Sequence, residues 1–138
     1  MRSNDGTRTG GEILIDQLAI HGVRHVFCVP GESYLAALDA FHDSKIALTV
    51  CRHESGAAIM AEAVGKTTGR PGICFVTRGP GASNASAGIH IARQDSSPMI
   101  VFVGQVGRHM REREISSGMR AGSSISLAHL AIEPNTAR

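Results

Sequence analysis

Apolar residues fall in four short unbroken runs, HVFCV at 25–29, IALTVC at 46–51, GICFV at 72–76 and MIVFV at 99–103. They do not alternate with polar residues, so each run predicts a strand covered on both faces. Between the runs the spacing is helical. Thr9 is a candidate N-cap for a helix over Gly11 to His21, where Leu14 and Leu18 share a face and Gly22 marks the stop. Ser33 is a candidate N-cap for a helix over Leu35 to His42. A third helix is expected over Ser55 to Thr68, ended by Gly69 before Pro71. Gly79-Pro80-Gly81 opens a fourth, running through Ala92. Strand and helix alternate with short connections, the pattern of a doubly wound α/β fold with a parallel sheet. No internal repeat interrupts it.

The pattern changes near the end. Serines crowd residues 116–126, and the short apolar patch LAHLAI at 127–132 precedes Pro134. Weak order is expected over 115–138, with one short helix. The expected organisation is a flexible lead-in at 1–9, an α/β domain at 10–114 and a divergent tail at 115–138.

Composition narrows the function. Of 138 residues, 42% are apolar and 19% charged, an ordinary globular balance. A net charge of +2 is too small to argue for a nucleic-acid or membrane partner, and Trp is absent. The basic stretch Arg108 to Arg113 is broken by Glu112 and reads as a solvated connector. No apolar run approaches the roughly 18 residues that span a bilayer. The start, MRSNDGTRTGG, lacks the apolar stretch of a secretion signal, so a cytoplasmic location is expected. Three cysteines without CxxC spacing suggest no disulfide framework, and Cys28, Cys51 and Cys74 read as core thiols rather than metal ligands. The seven histidines lack HxxxH spacing, and no metal site is expected.

In an open parallel sheet, ligands bind beyond the carboxyl ends of the strands. Residues 29–33, 52–55 and 77–84 fall there. Glu54 is the candidate acid. One reading is a first-turn carboxylate facing water, favoured by the helix dipole. The other is a carboxyl facing a ligand, with room left by Gly56, Ala57 and Ala58. Gly79-Pro80-Gly81 at a helix start is a weak phosphate cradle, without GxGxxG or a Gly-Lys-Ser/Thr ending. The helix after it, ASNASAGIHIA, is rich in small residues and suits either close packing on its own sheet or a subunit contact. Asn84 reads by itself as a solvated residue of that helix.

The segments VFCVPGESYLAALDAF, CRHESGAAIMAEAVGKTTGRPGICFVTRGPGASNASAGIHIA and RQDSSPMIVFVGQV together resemble one family. It is the N-terminal pyrimidine-binding domain of thiamine-diphosphate enzymes, nearest the acetolactate synthase branch. The likeness runs over about residues 10–113 and rests on Val-Pro-Gly, His-Glu, Gly-Pro-Gly followed by Asn, and Gln-Asp in order. It implies that Glu54 hydrogen-bonds the cofactor's pyrimidine and promotes the imino tautomer that takes the thiazolium proton. It places Pro30 and Gly31 at the cofactor edge, Pro80 and Asn84 by the pyrimidine or a subunit interface, and Gln94 near the substrate.

The resemblance further implies thiamine diphosphate as cofactor, held here by its pyrimidine end alone, and a 2-oxo acid as substrate. Magnesium is expected from a diphosphate-binding domain whose Gly-Asp-Gly motif does not occur in this chain, and the likeness does not decide whether FAD takes part. The partner is then a complementary diphosphate-domain chain or a related subunit, in a homo- or hetero-oligomer. The sequence leaves family expectation after about Glu114, consistent with a truncated or frame-shifted product or a natural split subunit. Alone, such a chain is expected to be inactive. The alternative is a non-catalytic remnant that only associates with related subunits.

Overall fold

The computed structural model describes residues 7–105 and the backbone of residues 128–130. In chain order the elements are α1 (Gly10–Ile20), β1 (His25–Cys28), α2 (Leu35–His42), β2 (Ala47–Val50), α3 (Glu54–Thr68), β3 (Gly72–Val76), α4 (Pro80–Asn84), α5 (Ser86–Gln94), β4 (Met99–Gly104) and β5 (Ala128–Leu130). The strands form one parallel sheet in the order β2-β1-β3-β4-β5.

Both faces of β1, β3 and β4 are covered, which explains their apolar runs. Val26, Cys28, Ile73, Phe75 and Phe102 point to one side and pack with Ile15, Leu18, Tyr34, Ala37 and Phe41 from α1, α2 and the turn before α2. Phe27, Cys74, Val76, Val101 and Val103 point to the other and pack with Ala57, Ala58 and Ala61 of α3, Ala82 of α4, and Ala85. β1, β3 and β4 each contribute alternate residues to two apolar layers, the signature of a doubly wound sheet, whereas in β2, at the edge, Ala47 and Val50 are exposed.

Local chemistry sets the helix ends. Thr9 and Glu12 form a capping box: the Thr9 hydroxyl accepts the Glu12 N–H at 3.1 Å, and the Glu12 carboxylate accepts the Thr9 N–H at 2.6 Å. Gly69 closes α3 in the left-handed region at φ 68°, where a side chain would be strained. His53 caps the other end of α3 through Nδ1, which accepts the Ser55 N–H at 3.2 Å, so the helix begins at Glu54, one residue earlier than expected.

Three expectations change. Ser33 does not cap α2. A 3₁₀ turn over Glu32–Tyr34 precedes the helix, its cap position falls on Tyr34 without a side-chain bond, and the Ser33 hydroxyl turns toward β3. The helix expected from Gly79 through Ala92 is two helices, α4 and α5, that meet at Ala85. At that junction the carbonyl of Asn84 accepts the hydroxyl of Ser55, a side chain entering the helix ladder as at many helix kinks. In the tail at 115–138, where weak order with one short helix is expected, residues 128–130 form a strand paired in parallel with β4. The rest of the expected tail, and residues 1–6 of the expected lead-in, lie outside the described residues. Among the described residues no helix is long and apolar enough to cross a membrane.

Candidate cofactor site at the carboxyl edge of the sheet

From β1 the chain moves outward to β2, then crosses back over β1 to reach β3. α2 lies on one face and α3 on the other. The gap between the carboxyl ends of β1 and β3 is therefore the topological switch point, where open α/β sheets place their ligands. The turns that follow these two strands meet there.

Thr77, the first residue beyond β3, is the hub of that meeting. Its hydroxyl lies 2.8 Å from the hydroxyl of Ser33. A Cβ on Gly31 would stand 2.8 Å from Thr77 Cβ, and one on Gly81 would stand 2.7 Å from Thr77 Cγ2. Glycine at both positions lets the two turns close onto one small side chain. A longer-range tie is ionic: Arg78 Nη2 lies 2.9 Å from Glu32 Oε1. The Tyr34 hydroxyl donates to the carbonyl of Val29 and pins the start of the first turn to the helix side.

Glu54 enters from α3. It is 8% exposed, one of three polar residues buried in the described core. Of the two sequence readings for this acid, the solvated carboxylate is the one its burial opposes. Its Oε2 accepts the side-chain N–H of Asn84 at 3.0 Å, and its Oε1 lies 3.3 Å from the place a Cβ on Gly81 would take. The room expected from Gly56 lies elsewhere: a Cβ there would meet nothing within 4 Å, but residues two apart do not share a helix face, so that space is on the side of α3 away from Glu54. Ala57 and Ala58 do not provide that room: both are fully buried, and Ala58 faces Gly88 across the α3–α5 contact. The small-residue face of α5 is thus used on its own α3 at Gly88.

The sequence-derived candidates divide by position. Gly31, Glu54 and Asn84 converge with Thr77 and Gly81. Pro30 and Pro80 sit on the same two turns and are exposed. Gln94 is not brought there. It ends α5 at the opposite, amino edge of the sheet, beside Asp95, which pairs with Lys66 near the end of α3. Its distance from Glu54 follows from the helix running antiparallel to the strands.

Ser33 and Thr77 fall within the expected edge segments 29–33 and 77–84 but are not singled out by the sequence, and Tyr34 lies just beyond them. The signal for Thr77 was available: it follows a strand at the carboxyl edge and stands two residues before Gly79. Gln105 carries the same signal, as the first residue beyond β4, half-buried next to Gly104, which abuts Ser33.

The thiols are packing groups. Cys28 and Cys74 are fully buried on opposite faces of the sheet, and Cys51 is half-buried. Burial pushes the Cys28 thiol up to about 11 and that of Cys74 up to about 12, and it raises Cys51 as well. Burial also raises the Tyr34 phenol. Among the described residues no group of His, Cys, Asp and Glu is placed to hold a metal ion.

An inward carboxyl at the switch point, framed by two glycine turns, marks the candidate site of a parallel α/β domain. The chain belongs to the family described as "Thiamine pyrophosphate enzyme, N-terminal TPP binding domain", which residues 8–125 match. It is similar to an acetolactate synthase of Bacillus subtilis (strain 168), 44% identical over 99 residues, covering 72% of this chain and 17% of that protein. It is similar also to the acetolactate synthase catalytic subunit, mitochondrial, of Aspergillus candidus, 43% identical over 100 residues, covering 72% of this chain and 14% of that protein. A catabolic acetolactate synthase of Raoultella terrigena is 37% identical over 110 residues, covering 80% of this chain and 20% of that protein. The chain thus spans no more than a fifth of the length of these relatives.

Proposed function

We propose that this chain supplies the pyrimidine-binding wall of a thiamine-diphosphate site in an acetolactate synthase-like enzyme acting on 2-oxo acids. The observation that carries the reading is Glu54, a carboxyl turned inward at the switch point, with Oε1 next to Gly81. The residues fit the pyrimidine end of the cofactor: a buried carboxyl for a ring nitrogen, and turns at Pro30-Gly31 and Pro80-Gly81 for a flat edge. They do not fit the diphosphate end, which needs a metal and anion-binding donors.

When bound, the cofactor supplies the electron sink that lets a 2-oxo acid lose carbon dioxide. Glu54 touches the ring and holds or passes a proton there, as a positioned general acid–base does. The packed turns around Thr77 hold that carboxyl in place and keep bulk water from its buried side. The diphosphate, the magnesium ion and any flavin belong to other domains, so the partner is a diphosphate-domain chain or a related subunit. In that assembly Pro30, Gly31 and Pro80 line the cofactor edge, and Gln94, at the far end of α5, reaches substrate only across a subunit contact.

The test is reconstitution. This chain, a diphosphate-domain partner, magnesium and thiamine diphosphate are expected to release carbon dioxide from pyruvate. Glu54→Gln should slow release by at least about a hundredfold, the lower range for loss of a positioned acid–base. Absence of turnover with such a partner, or turnover indifferent to Glu54→Gln, rejects the proposal.

A further inference from the structure

The two oxygens of Glu54 are not equivalent. Oε2 accepts the Asn84 Nδ2–H at 3.0 Å, while the Ser55 hydroxyl donates to the Asn84 carbonyl at 3.0 Å. Together these bonds cross-tie the first turn of α3 to the end of α4. No bond to Oε1 is present among the described residues, and no buried side-chain oxygen or nitrogen there lacks a partner. Oε1 is therefore the oxygen that still reaches solvent.

The donor chemistry gives this asymmetry a direction. An asparagine oxygen turned toward a carboxylate would set two acceptors together, so the amide must present its N–H₂. An O–H on Oε2 would compete with that donor. A proton on the carboxyl is better placed on Oε1.

We infer that Asn84 is a positioning residue for Glu54: its amide holds Oε2, and so leaves Oε1 as the oxygen offered to a ligand and the one that carries the proton. Asn84 then acts on a bound ring through Glu54 and does not touch it with its own amide. The ligand clause rests on the function proposed above. The Asn84–Glu54 relation does not.

The experiment uses the full chain and needs no cofactor for its first arm. A double-mutant cycle over Glu54→Ala and Asn84→Ala should show coupling of about tenfold in the unfolding equilibrium constant, about 1.4 kcal/mol. Asn84→Asp, nearly the same shape but without the donor, should unfold more readily than Asn84→Ala, because it sets two carboxyls together. Additive single effects, or an Asp variant as stable as wild type, overturn the inference.

Should a variant fail to fold, the wild-type chain still decides. In its ¹⁵N spectrum the Asn84 side-chain protons should be displaced from free-amide positions and protected from exchange, and free-amide behaviour overturns the inference. The second arm adds thiamine diphosphate, magnesium and the diphosphate-domain partner. The backbone amide of Gly81 should shift while the Asn84 protons keep their bonded signature. Release of the Asn84 protons on that addition overturns the ligand clause. A chain that shows the coupling but no response in the second arm counts against the proposed function alone and leaves the Asn84–Glu54 relation standing.

Discussion

The hydroxyls of Ser33 and Thr77 lie 2.8 Å apart, and through them the turn after β1 is bonded to the end of β3. The pair is part-buried, and Gly104 at the end of β4 abuts Ser33 from the other side. Three adjacent strands, β1, β3 and β4, thus have their carboxyl ends locked at one small polar contact.

Removing half of that contact leaves the other hydroxyl in a poorly solvated place. Ser33→Ala should therefore cost about 1–2 kcal/mol, more than the net worth of an average hydrogen bond. Thr77→Val keeps the shape of the hub and should cost a similar amount. The double variant Ser33→Ala with Thr77→Val should cost less than the two added together, since no hydroxyl is then left unpaired. Urea unfolding of the four proteins measures this, and strict additivity would show that the two hydroxyls do not depend on each other.

Gly81 offers a steric counterpart. A methyl group there would come within 2.7 Å of Thr77 Cγ2 and 3.3 Å of Glu54 Oε1. Gly81→Ala should destabilise by about 1–3 kcal/mol, the usual range for overpacking. The clash is with one methyl, so Thr77→Ser in the same chain should return much of the loss while keeping the hydroxyl bonded to Ser33. If the second change restores nothing, the contact described at Thr77 is not what limits residue 81.

Much of the architecture was legible because both-face burial leaves a plain mark on strands. Four apolar runs became β1 to β4 with ends within a residue or two, and Thr9, Gly22 and Gly69 stood where cap chemistry put them. What was not legible depends on contacts between distant turns. Ser33 has the right side chain for a cap, but a bond to Thr77, 44 residues away, claims its hydroxyl. The break at Ala85 follows from Ser55, 29 residues before Asn84, and so is invisible to helical periodicity. An acid in a first turn faces water or protein according to what stands opposite. For Glu54 that is Asn84 and Gly81, both on another helix. Gln94 was assigned by likeness of motif, and motif order does not report which end of a helix a residue occupies.

Ser96 has a φ of 53°, the one non-glycine residue with positive φ among the described residues. It follows α5, where Ser96 N–H reaches the Arg93 carbonyl at 3.4 Å and Ser97 N–H reaches that of Ala92 at 2.9 Å. This is a left-handed helix stop filled by a residue with a Cβ. Ser96→Gly should therefore stabilise the chain by up to about 1 kcal/mol, because relief of strain outweighs the extra freedom of glycine in the unfolded chain. Ser96→Ala should do the opposite or nothing. Thermal unfolding of both variants decides, and a less stable glycine variant would mean that the Ser96 side chain contributes more than its backbone strain costs.

The buried thiols set an alkaline limit. Cys28 and Cys74 are raised, chiefly by burial, from an ordinary 9.0 to about 11 and about 12. A thiol whose folded value lies above its unfolded value keeps its proton longer in the folded chain. The unfolded state then binds fewer protons than the native state above pH 9, and stability falls as pH rises from there through the folded values. The full contribution is present below pH 9. Urea midpoints should accordingly be flat in the neutral range and decline between about pH 9 and 11, where unfolded thiols ionise and the folded ones do not. Cys74→Ala should lower stability at neutral pH through the lost sulfur and flatten the alkaline decline, because one of the linked protons is gone. At pH 8, a thiol reagent should modify the half-buried Cys51 first and reach Cys28 and Cys74 only when the chain unfolds. Equal labelling of all three in the native chain, or an alkaline decline unchanged by Cys74→Ala, would show that these sulfurs are not sealed between the sheet and its helices.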